Sequence, residues 1–394
     1  MANSPKSEVT VLLQQLVRIK SPYFEEKEIM HFVHDWLSEN GIPCQFHHYN
    51  EAKVTGFQGI NVICELDSNK PGPIIHLNGH LDTVQLCNGW TKEPFAGVIE
   101  GDRMYGVGTA DMKGGCSANM IALKRFKESN KPFCGKIIAT FVSVEEGPFG
   151  LGTNALIEDG KLGKIDLSIV TEPTGDASGI PMVSLGAKGG YGCQIELFGK
   201  SAHASCPELG ISAAMDAAKV VCELGKIKCK ACPVLGEGKL CVIKIEADGG
   251  ACSVPDYARI AIFRHIVPGE TQGSIRKEIE EAIQNAGISS SYKFSFRNAP
   301  SPGSEGFMPY YIDEQNHYVT ALKETMADVC GKTPSIEYFG SIGDFNYLGT
   351  RMDAPCIVFG AHGGNAHSAD EYTSLSSVEL LADILVAYMG KLLK

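Results

Sequence analysis

The stretch Ile74-Ile75-His76-Leu77-Asn78-Gly79-His80-Leu81-Asp82-Thr83-Val84 decides how this chain is read. Apolar residues run into it as they do in a buried strand, and it closes on an imidazole and a carboxylate two residues apart. Side chains on an extended chain repeat with a period of two, so His80 and Asp82 face the same way. A histidine with a carboxylate beside it is a common means of placing and tuning a metal ion.

Upstream, residues 7–19 and 25–40 have the spacing of amphipathic helices, with Gly41 as a C-terminal cap, and 61–66 reads as a strand. Strand 73–80 follows. Downstream, Met120, Leu123 and Phe126 recur at helical spacing within 113–128. Residues 136–144 form the continuous apolar run of a strand buried on both faces. A short helix over 151–159 and a strand over 166–170 come next. This alternation predicts an α/β fold with a mixed, largely parallel sheet.

The pattern changes after about residue 184. Strands are expected at 189–198, 240–247, 258–265 and 290–296, and helices at 211–224 and 271–286. That set is the size of an independent α+β domain. A connection rich in Pro, Gly and Ser follows over 298–309. Helix 314–330, strand 355–359 and helix 374–393 resume the first pattern. The segment Gly340-Ser341-Ile342-Gly343-Asp344-Phe345-Asn346 reads as a loop. The expected organisation is a first domain in two parts, 1–184 and 299–394, with a smaller α+β domain, 185–298, inserted into it.

A length of 394 residues fits two domains. The formal charge of −11 and the lack of a basic stripe speak against a nucleic-acid surface. Residues 1–20 lack the basic and apolar segments of a signal peptide, and no apolar run approaches the ~20 residues that cross a bilayer. The expectation is a cytoplasmic protein with no membrane partner. Fourteen scattered cysteines then read as reduced thiols. Cys229-Lys230-Ala231-Cys232 has the C-x-x-C spacing, but no second pair stands at the distance a structural zinc requires. It reads as a loop with two thiols, with redox use as the alternative.

Five further polar positions fall at predicted strand ends or in the loops beside them. Asp111 sits in Gly106-Val107-Gly108-Thr109-Ala110-Asp111-Met112-Lys113-Gly114-Gly115. That spacing fits neither nucleotide-binding glycine pattern, and a central carboxylate would repel phosphate. Glu145 and Glu146 close the apolar run that ends at Val144. Buried carboxylates there need a cation or a partner. Neighbouring side chains diverge on an extended chain, so the two suit different roles, one as ligand and one as base. Glu172 ends the next strand in Thr171-Glu172-Pro173, and His367 lies in the glycine-rich stretch 363–372. The carboxyl ends of strands are where open α/β sheets build sites.

Together, Gly79-His80-Leu81-Asp82-Thr83-Val84, Gly106-Val107-Gly108-Thr109-Ala110-Asp111-Met112-Lys113-Gly114, Glu145-Glu146-Gly147, Thr171-Glu172-Pro173 and Ala366-His367-Ser368 resemble the M20 family of metallopeptidases and amidohydrolases, in order and in approximate spacing. The resemblance spans nearly the whole chain. It implies two zinc ions per subunit, with Co²⁺ or Mn²⁺ as substitutes. His80 and Glu172 would hold one ion, Glu146 and His367 the other, and Asp111 would bridge them, followed by a cis peptide to Met112. Glu145 would be the general base, and Asp82 would orient His80. It further implies that the inserted domain is a lid and dimerisation domain of a homodimer. His203, in Gly199-Lys200-Ser201-Ala202-His203-Ala204-Ser205, resembles the histidine that in relatives reaches the partner subunit's site and stabilises the oxyanion. Arg264 resembles an arginine that would clamp a substrate carboxylate. Here His265 intrudes and Pro268-Gly269 lies one residue further on than in the family's spacing. Ser253 stands where relatives often carry Asn. The implied activity is hydrolysis of the amide bond of a small N-acyl amino acid. The alternatives are a di- or tripeptidase or carboxypeptidase acting on short peptides, or a non-hydrolytic metal-binding relative.

Overall fold

The stretch 74–80 lies at the centre of a mixed sheet in a computed structural model that describes residues 7–175 and 181–394. In chain order the elements begin with α1 (Glu8–Arg18), α2 (Lys27–Glu39), β1 (Cys44–Glu51), β2 (Phe57–Asp67), β3 (Ile74–His80), α3 (Gly114–Glu128), β4 (Lys136–Val142), α4 (Leu151–Glu158), β5 (Leu167–Val170) and β6 (Val183–Ala187). Next come β7 (Gly189–Phe198), α5 (Ala213–Leu224), β8 (Lys239–Ala247), β9 (Tyr257–Ile266), α6 (Gln272–Asn285) and β10 (Ser291–Phe296). The chain closes with α7 (His317–Cys330), α8 (Asp344–Arg351), β11 (Cys356–Val358) and α9 (Leu375–Leu392).

Two compact units result. The first comprises residues 1–186, 311–338 and 343–394, and the second comprises residues 187–310 and 339–342. The second unit thus runs past the expected boundary at 298, through the Pro- and Gly-rich connection to Tyr310.

In the first unit the sheet order is β1-β2-β4-β3-β5-β11-β6. The four central strands are parallel, and the outer pairings are antiparallel. Ile75 of β3 stands opposite Ile137 of β4 on one side and Leu167 of β5 on the other. Helices cover the central strands, so these read as continuous apolar runs rather than alternating ones. Helix α1 shows why its residues are helical. Ser7 caps the first turn by accepting from Thr10 N, and Leu12, Leu13, Leu16 and Val17 form its buried stripe.

Local readings depart from the structure in four places. The strand expected over 136–144 stops at Val142, because Val144 adopts a left-handed backbone with φ 56°. The loop expected over 340–346 holds the start of α8 at Asp344. Strand β1, with the sequence CQFHHYNE, has no apolar run and is an antiparallel outer strand whose burial comes from its neighbours. A small antiparallel sheet of 98–100, 103–105, 363–364 and 372–374 also carries too few residues for a period to show.

The second unit is a four-stranded antiparallel sheet in the order β8-β9-β7-β10. Ile195, Leu197, Ile260 and Ile262 of the sheet pack with Val220 of α5 and Ile279 of α6. All fourteen cysteines are free thiols, Cys229 and Cys232 among them. Among the described residues no helix is long and apolar enough to cross a membrane.

Close packing holds α3 against the end of β5. A Cβ on Gly115 would fall 2.1 Å from the carbonyl oxygen of Thr171. Gly115→Ala is therefore expected to lower the unfolding free energy by about 1–3 kcal/mol. Urea denaturation reads this as a lower midpoint at unchanged slope. A parental midpoint would show that α3 can move away at little cost.

Candidate metal centre

The strand after β3 in the chain, β4, lies on one side, and the strand after its other neighbour β5, β6, lies on the opposite side, so the direction of connection reverses between β3 and β5. Such a switch point opens a crevice at the strand ends. His80 is the last residue of β3 and stands opposite Val142, where β4 ends. Glu145 and Glu146 follow β4, and Glu172 follows β5. Asp111 comes from the loop that enters α3, and its peptide bond to Met112 is cis. His367 comes from the turn after β11, with its own backbone left-handed at φ 59°.

These side chains converge. His80 Nε2 lies 3.1 Å from Asp111 Oδ1, 3.5 Å from Glu172 Oε1 and 3.9 Å from Glu145 Oε2. His367 Nε2 lies 2.8 Å from Glu146 Oε1 and 3.3 Å from Asp111 Oδ2. The two oxygens of Asp111 thus face the two imidazoles. Ligand atoms of His80, Asp111 and Glu146 all fall within 4.8 Å of one another.

Asp82 does more than face His80. Its carboxylate accepts from the backbone N–H groups of Glu145 at 3.0 Å and Glu146 at 2.8 Å. His80 Nδ1 lies 3.0 Å from the Asp82 carbonyl and 3.6 Å from its carboxylate. Glu26 supports the same turn by accepting from Val144 N at 3.0 Å. A left-handed β-branched residue is strained and persists only when its surroundings hold it. Here the bond from Val144 N to Glu26, the bond from Leu151 N to the Val144 carbonyl and complete burial do so.

The electrostatics follow from crowding. Burial, then the Glu172, Asp344 and Glu146 carboxylates, push Glu145 well above the usual carboxyl range, against His80. Burial and Asp111 raise Glu172 well above it and raise Glu146. For Asp111, burial acts upward, but the bonds from His367 and His80 outweigh it and hold the carboxyl below its ordinary value. Burial would lower His80, yet Glu172, Asp111, Asp82 and Glu145 together raise it well above the usual imidazole range. Bonds to Asp111 and Glu146 lift His367 to about 10. A cluster in which carboxylates outnumber imidazoles and hold each other's protons is one that divalent cations would neutralise. The donor set of imidazoles and carboxylates suits zinc-like ions.

His203 lies on an exposed turn of the second unit, its Nδ1 2.7 Å from Ser205 Oγ. Arg264 is fully buried in that unit. Its guanidinium donates to Glu270 at 2.7 Å, to Glu278 at 3.0 Å and to the carbonyl of His265. Several supporting residues carry no signal in the sequence. Glu371 accepts from three backbone N–H groups of the Asp111 loop. Cys116 donates its thiol to the carbonyl of His80 at 3.0 Å. Gly343 leaves room for the Glu145 side chain, since a Cβ there would fall 2.9 Å from Glu145 Oε1. Each contact joins residues far apart in the chain, so no local pattern announces it.

An open α/β sheet with imidazoles and carboxylates gathered at its strand ends defines the class of metal-centred hydrolase folds. Within that class the chain belongs to peptidase family M20/M25/M40, whose signature matches residues 76–391. It is 27% identical over 326 residues to a succinyl-diaminopimelate desuccinylase of Gluconobacter oxydans, covering 81% of this chain and 82% of that one. A tripeptidase from Staphylococcus aureus shares the fold with a TM-score of 0.78 at 20% identity, over 97% of this chain and 96% of that one. A dinuclear metal-binding peptidase of the M20 family from Bacillus subtilis does so with a TM-score of 0.71 at 14% identity, over 97% and 96%.

Asp82→Asn tests how the centre is organised. An amide accepts one backbone N–H and turns its own NH₂ against the other. Divalent-cation affinity is expected to fall about 10–100-fold, as when other partners of metal ligands are altered. Calorimetric titration of the chelator-treated protein measures it, and a parental affinity would show that Asp82 does not set the ligand geometry.

Proposed function

We propose that this chain is a metal-dependent amidohydrolase that cleaves the amide bond of a small N-acyl amino acid, with N-succinyl amino acids as the first class to test. The observation that carries this reading is the placement of the Asp111 oxygens, one 3.1 Å from His80 and the other 3.3 Å from His367. That geometry supports a pair of cation sites sharing one carboxylate. His80 and Glu172 would complete one site, and His367 and Glu146 the other. Zinc is the ion that mixed imidazole and carboxylate donors favour, with Co²⁺ or Mn²⁺ as substitutes. Bound there, such ions would supply acidification of a water and polarisation of the scissile carbonyl.

The residues of the chain supply the rest. Glu145 Oε2 stands 3.9 Å from His80 Nε2, at the edge of the cluster that would hold the ions. It accepts the proton as water attacks and passes it to the leaving nitrogen. Asp82 keeps Glu145 and Glu146 side by side by holding both of their amides. Selection of a substrate carboxylate is not assigned to Arg264, whose donors are taken by Glu270 and Glu278.

The substrate class follows the desuccinylase relative, which aligns over most of both chains. A second reading, a tripeptidase or related peptidase, is supported by the solved fold relatives. The same centre serves either, because both reactions attack an amide carbonyl.

Three experiments test the proposal. Glu145→Gln is expected to lower kcat by about 100–10,000-fold while cation binding persists; undiminished turnover would remove Glu145 from the role of base. Chelation is expected to abolish hydrolysis, and added Zn²⁺ or Co²⁺ to restore it. A panel of N-succinyl and N-acetyl amino acids beside di- and tripeptides then separates the two readings. Turnover of peptides alone would replace the deacylase reading with the peptidase one.

A further inference from the structure

Glu371 lies four residues beyond His367, at the start of the short strand 372–374. It is 3% exposed, and both of its carboxylate oxygens turn to one loop. Its Oε2 accepts from Gly108 N at 2.8 Å, and its Oε1 accepts from Ala110 N at 2.9 Å and Asp111 N at 3.0 Å. Its backbone carbonyl accepts from Gly106 N at 3.0 Å. The next residues continue the clasp as a ladder, Tyr372 opposite Tyr105 and Thr373 opposite Met104. One residue therefore ties the turn that carries His367 to the loop that carries Asp111.

We propose that Glu371 is a positioning residue of the centre, a carboxylate clamp on the amides of residues 108–111 that aims Asp111 between His80 and His367. The inference rests on the cation-binding reading above. Two features make the clamp necessary. The loop holds Gly106 at φ 159° and Gly108 at φ 75°, so glycine freedom must be removed by outside bonds. Gly108 lends no side chain to fix its position, and Thr109 bonds within the loop, to the carbonyl of Gly106. A carboxylate is the side chain that accepts several N–H groups at once without offering a donor. Charged acceptors also bond backbone amides more strongly than neutral ones. His367 is half-exposed and enters from the solvent side, so its distance to Asp111 depends on how the two segments are tied.

The experiment is a cation titration of the full chain carrying Glu371→Gln, freed of metal by chelation and titrated with Zn²⁺ by calorimetry and with Co²⁺ by visible absorption. Glutamine is the same size but presents its NH₂ to one of the three amides. The dissociation constant is expected to rise about 10–100-fold, with an altered Co²⁺ spectrum and a fall in kcat at little change in KM. Glu371→Asp keeps the charge and withdraws the oxygens by one methylene, so it should bind more tightly than the glutamine variant and less tightly than the parent. If the glutamine variant does not fold, the aspartate variant is read alone, with weakened binding supporting the clamp and parental binding overturning it. A variant that unfolds more easily yet binds cation with parental affinity and spectrum overturns the inference, because the role is then structural only. A parent chain that binds neither ion overturns the cation reading itself, an outcome distinct from failure of the clamp.

Discussion

Four carboxylates brought out of water against two imidazoles is the constraint on which the rest of this structure depends. Asp111, Glu145, Glu146 and Glu172 cannot all carry charge at these distances without compensation. The compensation comes from the protonation of His80 and His367, or from cations that replace those protons. What surrounds the cluster serves to stop it from flying apart or turning away.

That support is made of backbone amides received by a further set of buried acids. Asp82 holds the amides of Glu145 and Glu146, Glu26 holds that of Val144, and Glu371 holds three in the Asp111 loop. Each acid grips main chain, and Asp82 also faces the His80 ring at 3.6 Å, so the clustered side chains are placed largely by the path of their loops. Rigid aim of this kind is what a metal-centred hydrolase needs, since misplacement by an ångström costs much of the rate. The left-handed Val144 belongs to the same economy of placement. It turns the chain sharply after β4, and of the two glutamates that follow, Glu145 reaches toward His80 and Glu146 toward His367.

The fold prepares the place. Burial of β3 between β4 and β5, with α3 packed closely enough to require Gly115, brings the strand ends to one side of the sheet. Family membership and the cluster of imidazoles and carboxylates at the strand ends then agree on amide hydrolysis.

Much was legible in the sequence, because much of it depends on local pattern. The buried strands announce themselves by continuous apolar runs and the helices by their stripes. His80, Asp111, Glu145, Glu146, Glu172 and His367 stand out as polar residues at or beside the ends of such segments. Strand β1 and the small sheet were not legible, since their burial is conferred by neighbours rather than by their own composition. Nor was the setting of Arg264, whose partners Glu270 and Glu278 lie across a turn and on a helix that only packing brings beside it. The sequence by itself determined which polar residues stand where the strands close. Only the tertiary structure decided how they are aimed, because the acids that grip their loops, Glu26, Asp82 and Glu371, act across the sheet on amides that carry no side-chain signature.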